Sequence, residues 1–366
     1  MSQTNTQMKA WKLNSTTGSF TLSQVSLPTV RPGSVLIKLK AIPVANNMKH
    51  MISGKVSFFK TPKDEFSIGT YGVGQVVDVG SDVYHLKKGM RVYVSPQIVA
   101  HENVREPAQI LLGATHFETE ASKQLQQDWK DGTMAQYILV PTSVVSPIDD
   151  DLDHISSALL ATAAKCAVPY GGYVKGRLTA GEVVIVNGAT GAYGCCAVLM
   201  ALAMGASRVV AAGRNEENLK AILDVGGKRV VGVKLSGDVE KDAAALRGAT
   251  GIGGAHLAFD MLGYASDANS TISSLNALLR GGRLVLMGSM VVPLPINYNQ
   301  VLLNNIEILG CFMYPTSAFE RINDLIRGGL LNIDAFDVKE YPLSELMDAM
   351  DYAEKSKPLE CVVILD

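Results

Sequence analysis

Val184-Ile185-Val186-Asn187-Gly188-Ala189-Thr190-Gly191-Ala192-Tyr193-Gly194 is the stretch on which the fold turns. A β-branched apolar run ends in Asn187, glycines recur at 188, 191 and 194, and an Ala- and Leu-rich segment follows. The first part reads as a buried strand and the last as a helix. Glycines between the two permit a tight turn and let main-chain N–H groups approach a pyrophosphate at the helix N-terminus. A glycine pattern alone says little; the strand–loop–helix setting makes it a dinucleotide loop rather than a plain structural turn. Val183–Ala206 is also uncharged and long enough to suggest a membrane span. Asn187 and the three glycines interrupt it, and a phosphate loop explains them better.

Strand candidates alternate with helices along the second half of the chain. Glu182–Asn187, Arg208–Gly213, Arg229–Leu235, His256–Met261, Arg283–Gly288 and Glu307–Phe312 are apolar runs. Between them lie helical patterns at Ala192–Met204, Glu216–Val225, Val239–Arg247 and Ala268–Arg280. Continuous apolar strands with intervening helices predict a parallel sheet buried on both faces, the doubly wound Rossmann arrangement. From about Tyr314 the pattern predicts two amphipathic helices, near Ser317–Arg327 and Leu343–Lys355, then a strand at Cys361–Leu365. From Lys9 to about Pro147 the chain instead carries short β-prone runs such as Val35–Leu39, Gly74–Val79, Arg91–Val94 and Ala135–Val140. These predict a compact, mostly β domain. The stretch Gln97–Trp129 breaks the rhythm, is weakly helical near Ala121–Trp129, and reads as a lobe.

Composition narrows the function. The 366 residues are 47% hydrophobic and 19% charged, the balance of a globular chain of two domains. A net charge of −2 excludes the basic footprint of a nucleic-acid binder, and 6% aromatic residues leave little for stacking on single strands. The five cysteines, at 166, 195, 196, 311 and 361, form no C-x-x-C pair and read as small core residues of a reducing compartment. The polar start Met1–Gln7 lacks the regions of a signal peptide. The expectation is a cytoplasmic protein that acts on a small molecule, with neither nucleic acid nor membrane as a partner.

The end of the second strand selects the cofactor. An Asp or Glu about 20 residues beyond the loop would bind the ribose 2′-hydroxyl and repel a 2′-phosphate. Here the chain reads Ala211-Ala212-Gly213-Arg214-Asn215, with no acid before Glu216. Arg214 presents a guanidinium suited to a phosphomonoester, with Lys220 about a helical turn later, which favours NADP(H). The alternative is that Arg214 is a solvated residue at a helix start.

Together these features resemble the medium-chain dehydrogenase/reductase superfamily, over nearly the whole chain from Lys9 to Asp366. The resemblance rests on Gly69-x-x-Gly72-x-Gly74-x-Val76-x-x-Val79-Gly80, on Gly89-Met90-Arg91-Val92, on the Gly188–Gly194 loop and on Gly281-Gly282-Arg283-Leu284-Val285. It implies an α/β protein: a GroES-like β-rich catalytic domain formed by residues 1–161 and 314–366, and a Rossmann domain of residues 162–313. It also implies a homodimer. The zinc-dependent alcohol dehydrogenases of that family hold a catalytic metal with Cys, His and Cys, and a structural metal with four clustered cysteines. Neither set is present. Ala45-Asn46-Asn47-Met48-Lys49-His50 holds no cysteine, Gly69-Thr70-Tyr71 stands where the family reads Gly-His-Glu, and Gln97–Trp129 has no cysteine. His101, Glu102, His116 and Glu118 are donors in that lobe, but their spacing fits no standard zinc site. The chain therefore resembles the zinc-independent quinone and enoyl reductases, and no metal site is expected.

Hydride transfer to C=O or to a conjugated C=C builds negative charge on oxygen. Without a Lewis acid, hydrogen-bond donors must stabilise it, and one well-placed donor is worth ~3–4 kcal/mol. His50 is the first candidate, since the resembling alcohol dehydrogenases carry a proton-relay histidine at this place and histidine titrates near neutrality. Its other reading is a histidine bonded in the core or to ribose. Tyr71 is the second candidate, with packing as its alternative. Asn47 and Lys49 either hold ribose or face solvent. Gly288-Ser289 and Phe312-Met313 end the fifth and sixth strands, where ligands of such sheets sit; Phe312 and Met313 read equally well as core. The pocket walls expected from Met51–Phe59, Gln97–Trp129 and Pro293–Val301 are apolar. These observations predict an NADPH-dependent, zinc-independent reductase of an enone or quinone. The alternative is a metal-free carbonyl reductase that interconverts a ketone or aldehyde and an alcohol. A cofactor-binding protein without turnover is a third reading, against which the loop and a proton donor argue.

Overall fold

The computed structural model describes residues 6–54, 59–100 and 103–366. His101 and Glu102, and residues 55–58 of the expected pocket wall, lie outside the described residues. The chain divides into two compact units. One runs to Ala164 and takes back Val338–Ser356 and Glu360–Asp366, and the other is Lys165–Asp337 with Lys357–Leu359.

The first unit is built on antiparallel strands, as its short β-prone runs predict. Its largest sheet has seven strands, with Ser34–Pro43 at the centre. Gly72–Val79, Tyr137–Pro141 and Glu360–Leu365 each pair antiparallel with that strand. A second sheet joins Gln7–Asn14 to Phe20–Ser26 and Glu65–Ser67. The alternation of Val35, Ile37 and Leu39 sends these side chains into one core shared with Ile98, Ile110, Leu112, Leu346 and Ile364. Each such fully buried aliphatic side chain contributes about 1.5–3 kcal/mol of transfer free energy. That core corrects the lobe reading of Gln97–Trp129. The stretch folds as a three-stranded sheet and the helix Glu120–Asp128, capped by Thr119, and buries Ile98 and Ile110 in the common core. Polar residues on its outer face concealed those anchors.

The second unit carries six parallel strands: β1 Val183–Asn187, β2 Arg208–Gly213, β3 Val230–Lys234, β4 Ala255–Asp260, β5 Leu278–Leu286 and β6 Glu307–Gly310. Their order is β3-β2-β1-β4-β5-β6, with a reversal of direction beside β1. All five residues of β1 are buried, which is why its pattern shows no alternation. Helix α1, Ala192–Ala203, follows the glycine loop, α2, Glu216–Gly226, follows β2, and α3, Asn269–Asn276, precedes β5. The Val183–Ala206 stretch is thus strand, loop and helix, and no helix among the described residues is long and apolar enough to cross a membrane.

Several bounds differ from the sequence reading, and one strand goes unannounced by it. The helix expected to run to Arg280 stops at Asn276, because Leu278 enters β5 beside Ala255. Residues 314–337 belong with the second unit rather than the first. There Ala318–Arg327 buries Phe319 and Ile322, and Tyr314 lies edge-on to Phe319. The strand Asp337–Pro342 is half exposed and without clear alternation, so the sequence pattern does not announce it.

Candidate active site

The loop after β1 is shaped by two glycines that act differently. Gly188 has φ +78°, a left-handed conformation that disfavours any side chain. At Gly194 a Cβ would stand 1.9 Å from the Gly188 carbonyl oxygen, so the first turn of α1 packs directly on the loop. Gly191 is the residue before α1, and no side chain caps that helix. A Cβ at Gly191 would meet nothing closer than 3.5 Å, leaving the approach to the helix N-terminus open. Thr190, Ala192 and Tyr193 complete a main-chain cradle whose donors and dipole suit a pyrophosphate.

At the end of β2, Gly213 lies against Thr190, to whose methyl a Cβ would come within 3.2 Å. Arg214 is exposed and in no ion pair among the described residues, as a phosphate-binding arginine requires. Asn215 acts locally, since its side chain accepts from Asn218 N at 2.9 Å and caps α2. Glu216, the nearest acid, is paired with Lys234 at 3.2 Å.

Gly288 and Ser289 are exposed just beyond β5, held by bonds from Gly288 N to the Asp260 carbonyl and from Ser289 N to the Leu262 carbonyl. Strand β6 ends at Gly310, two residues short of expectation. Phe312 is 51% exposed, which removes its core reading, and Met313 has φ +61°.

The catalytic candidates lie in the first unit, in unlike surroundings. Asn47 precedes the short helix Met48–Ile52, which carries Lys49 and His50. Lys49 Nζ is bound by Asp351 and, at 3.0 Å, by Glu354, from the helix Leu346–Ala353 and its end. Asp351, then Glu354, holds the Lys49 ammonium above its usual pKa, and Lys49 holds both carboxyls below theirs. His50 is half exposed, and its Nε2 lies 3.9 Å from Glu354 Oε1, an ion pair when the imidazole is protonated. Tyr71 is buried at 3% exposure, hydroxyl included. The setting of Tyr71 is that of a packing residue, while His50 meets solvent.

Two groups of functional interest escape a reading of the sequence. Glu354 is 305 residues from Lys49, and no local signal connects them. Asp260 does carry a signal, an acid at the carboxyl end of an apolar strand; it accepts hydrogen bonds from three separate groups. A cavity of about 520 Å³ in the first unit is lined by Lys40, Gln75, Arg91, Asp150, Asp153 and Glu340, among others. None of the candidate catalytic or cofactor residues lines it, and its walls mix charged side chains with Met90, Ala158 and Leu365.

Comparison with known proteins agrees with this layout. The family described as zinc-binding dehydrogenase matches residues 192–328, and that described as alcohol dehydrogenase GroES-like domain matches residues 31–150. An alcohol dehydrogenase of Moraxella sp. is 27% identical over 360 residues, covering 98% of this chain and 99% of its own length. One from Geobacillus stearothermophilus is 28% identical over 352 residues, 96% of either chain. The crystal structure of a Sinorhizobium meliloti dehydrogenase bound to NADP shares the fold, with a TM-score of 0.78 and 23% identity over 98% of this chain and 99% of that one.

Proposed function

Because the chain belongs to the medium-chain dehydrogenase/reductase family and is an oxidoreductase of it, we propose that it interconverts a ketone or aldehyde with the corresponding alcohol, using NADP(H) and no metal. The observation that carries the NADP(H) reading is the N-terminus of α1, with no side-chain cap among the described residues, beside a close-packed loop, with Arg214 just after β2 in no ion pair among the described residues. The names of the relatives, alcohol dehydrogenases, support carbonyl–alcohol exchange rather than the enone or quinone reduction that the missing zinc ligands suggest.

The dinucleotide, when bound, supplies hydride chemistry. The Gly188–Gly194 main chain would hold its pyrophosphate, Arg214 its 2′-phosphate, and Gly288 and Ser289 its nicotinamide end. His50 delivers the proton to the carbonyl oxygen in reduction and removes it in oxidation, with Tyr71 as the alternative donor. The donor set does not fit zinc. Asn47, Lys49, His50, Thr70 and Tyr71 offer one imidazole and neither thiolate nor carboxylate, and no three His, Cys, Asp or Glu side chains among the described residues are grouped to hold a metal. Stabilising the developing alkoxide therefore falls to hydrogen-bond donors.

The test follows NADPH consumption by chelator-treated protein with a cyclic enone, a quinone and an aryl ketone, and NADP⁺ reduction with a secondary alcohol. Turnover of the ketone and alcohol, unaffected by chelation, is the expected result. Reduction of the enone or quinone alone would overturn the carbonyl reading. Tightly held zinc whose removal abolishes turnover would overturn the metal-free one.

We also propose a homodimer that pairs through the outer edge of β6. This strand ends the sheet order, and Val291, Tyr298, Leu302 and Leu303 nearby in sequence are 56–77% exposed. An open edge beside exposed apolar side chains is a template for strand pairing. Sedimentation should show a dimer that Leu303→Glu weakens; a monomeric wild type would refute it.

A further inference from the structure

Asp260, at the end of β4, is buried in the second unit at 3% exposure, and every polar group the structure gives its carboxylate is a donor. Leu262 N donates to Oδ1 at 3.0 Å, while Thr271 Oγ1 and, at 3.2 Å, Asn187 Nδ2 donate to Oδ2. Three donors and no acceptor are the complement of an ionised carboxylate. Burial pushes this carboxyl up from its ordinary pKa, and the bonds from Thr271, Leu262 and Asn187 oppose that push. None of the side chains bonded to it is charged: Asn187 comes from β1 and Thr271 from α3, and Ser270, also on α3, accepts from Asn187 Nδ2 at 3.3 Å.

The place of this carboxylate in the chain is what makes it more than a core polar group. Asn187, 0% exposed, is its cross-strand neighbour in register and directly precedes Gly188. The Asp260 carbonyl accepts from Met287 N at 3.1 Å and Gly288 N at 3.0 Å, and Ser289 N bonds to Leu262 at 2.8 Å. A Cβ on Gly288 would stand 2.1 Å from the Leu262 carbonyl oxygen, so the turn after β5 rests on the segment that the Asp260 side chain fixes. One residue thus ties together the start of the phosphate loop and the Gly288–Ser289 turn. Because Asn187 turns its Nδ2 to the carboxylate, its Oδ1 is buried without a hydrogen-bond partner among the described residues. An amide alone in a core would not be set this way; the acceptor-only carboxylate dictates its orientation.

We propose that Asp260 is a positioning residue of the dinucleotide site: through Asn187 it sets the Gly188 loop, and through its own carbonyl and Leu262 it sets the Gly288–Ser289 turn. This rests on the reading of the second unit as an NADP(H) site. Asp260→Asn keeps the shape but puts an N–H₂ where only acceptors fit, so one of the three donors faces another donor. The loop and the turn then lose their common anchor.

The experiment titrates NADPH into wild type, Asp260→Asn and Thr271→Val, and measures kcat, KM for NADPH and thermal midpoint on the same preparations. Asp260→Asn is expected to weaken NADPH binding and raise its KM about tenfold, the worth of roughly one charge-assisted hydrogen bond, while kcat at saturation stays within about twofold. Thr271→Val, which deletes one donor, is expected to show the same split to a smaller degree, and it is the variant to read if Asp260→Asn does not fold. A folded variant of lower thermal midpoint that binds NADPH as the wild type does would overturn the proposal, because that is the signature of a merely structural carboxylate. A wild type that binds no NADPH overturns the cofactor reading itself, and the wild-type titration alone reveals it.

Discussion

At the Gly188–Gly194 loop, the proposed cofactor cradle, three glycines and two alanines leave the main chain to form the surface; around His50 long charged side chains make the contacts. The loop is closed by approaches in which even one added carbon would collide with a carbonyl. The His50 helix has five residues and is joined to the Leu346–Ala353 helix by Lys49, Asp351 and Glu354. Each of those contacts can be remade in several rotamers. Close-packed main chain gives one geometry at little entropic cost, whereas exposed ion pairs give an adaptable one that salt and pH weaken. The proposed cofactor site needs the first property, and the proposed proton delivery tolerates the second.

The contrast can be broken most severely at Gly194. Gly194→Ala should abolish saturable NADPH binding and destabilise the protein by about 1–3 kcal/mol or more, since overpacking against backbone cannot be relieved by rotation. Gly191→Ala, which meets only ordinary contact, should melt as the wild type does. Equal thermal midpoints for all three proteins would refute the close-packing account.

His50→Ala comes next, with turnover expected to fall by ~10²–10⁴ as for a lost general acid, and with a flatter pH–rate profile. Tyr71→Phe, which deletes a buried hydroxyl, should leave turnover within a few-fold. If Tyr71→Phe carries the loss and His50→Ala does not, the proton donor is Tyr71. Arg214→Ala is expected to weaken NADPH about ten- to a hundredfold and leave NADH nearly unchanged, as loss of a charge-assisted contact to phosphate implies. Equal losses for both cofactors would give Arg214 another role.

The smallest effect is sought at Lys49. Asp351 and Glu354 have carboxyls held below their ordinary pKa, so their pairing stabilises the fold above the ordinary carboxylate range and is lost as pH falls through the lowered values. Lys49 is held above 10.5, so its share is complete below that value and is lost as pH rises through the raised one. The difference in thermal midpoint between wild type and Lys49→Met should therefore be widest between about pH 5 and pH 10. It should shrink at either end and in high salt. A difference independent of pH would mean that Lys49 acts through its aliphatic stem.

Local pattern was enough for the parallel sheet, the glycine loop and the arginine after β2, because each is written in consecutive residues. β1 is buried throughout since both its faces are covered, and α1 begins directly after Gly191. Arg214 stands next to Gly213 in the chain and in space alike. Contacts between distant residues had no such trace. Whether Gln97–Trp129 formed a lobe depended on Ile98 and Ile110 reaching a core shared with Leu346 and Ile364. Residues 314–337 joined the second unit because Gly171 offers space that a Cβ would fill, with Met313 O at 2.3 Å and Tyr314 Cβ at 2.7 Å. Glu354, one of the two partners of Lys49, lies 305 residues from it, and Asp260 takes its meaning from Asn187, 73 residues earlier. Sequence by itself determined the elements with short-range periodicity and the glycine loop between two of them. Only tertiary structure decided which side chains meet, because pairing across hundreds of residues depends on packing of the whole chain and leaves no local period to read.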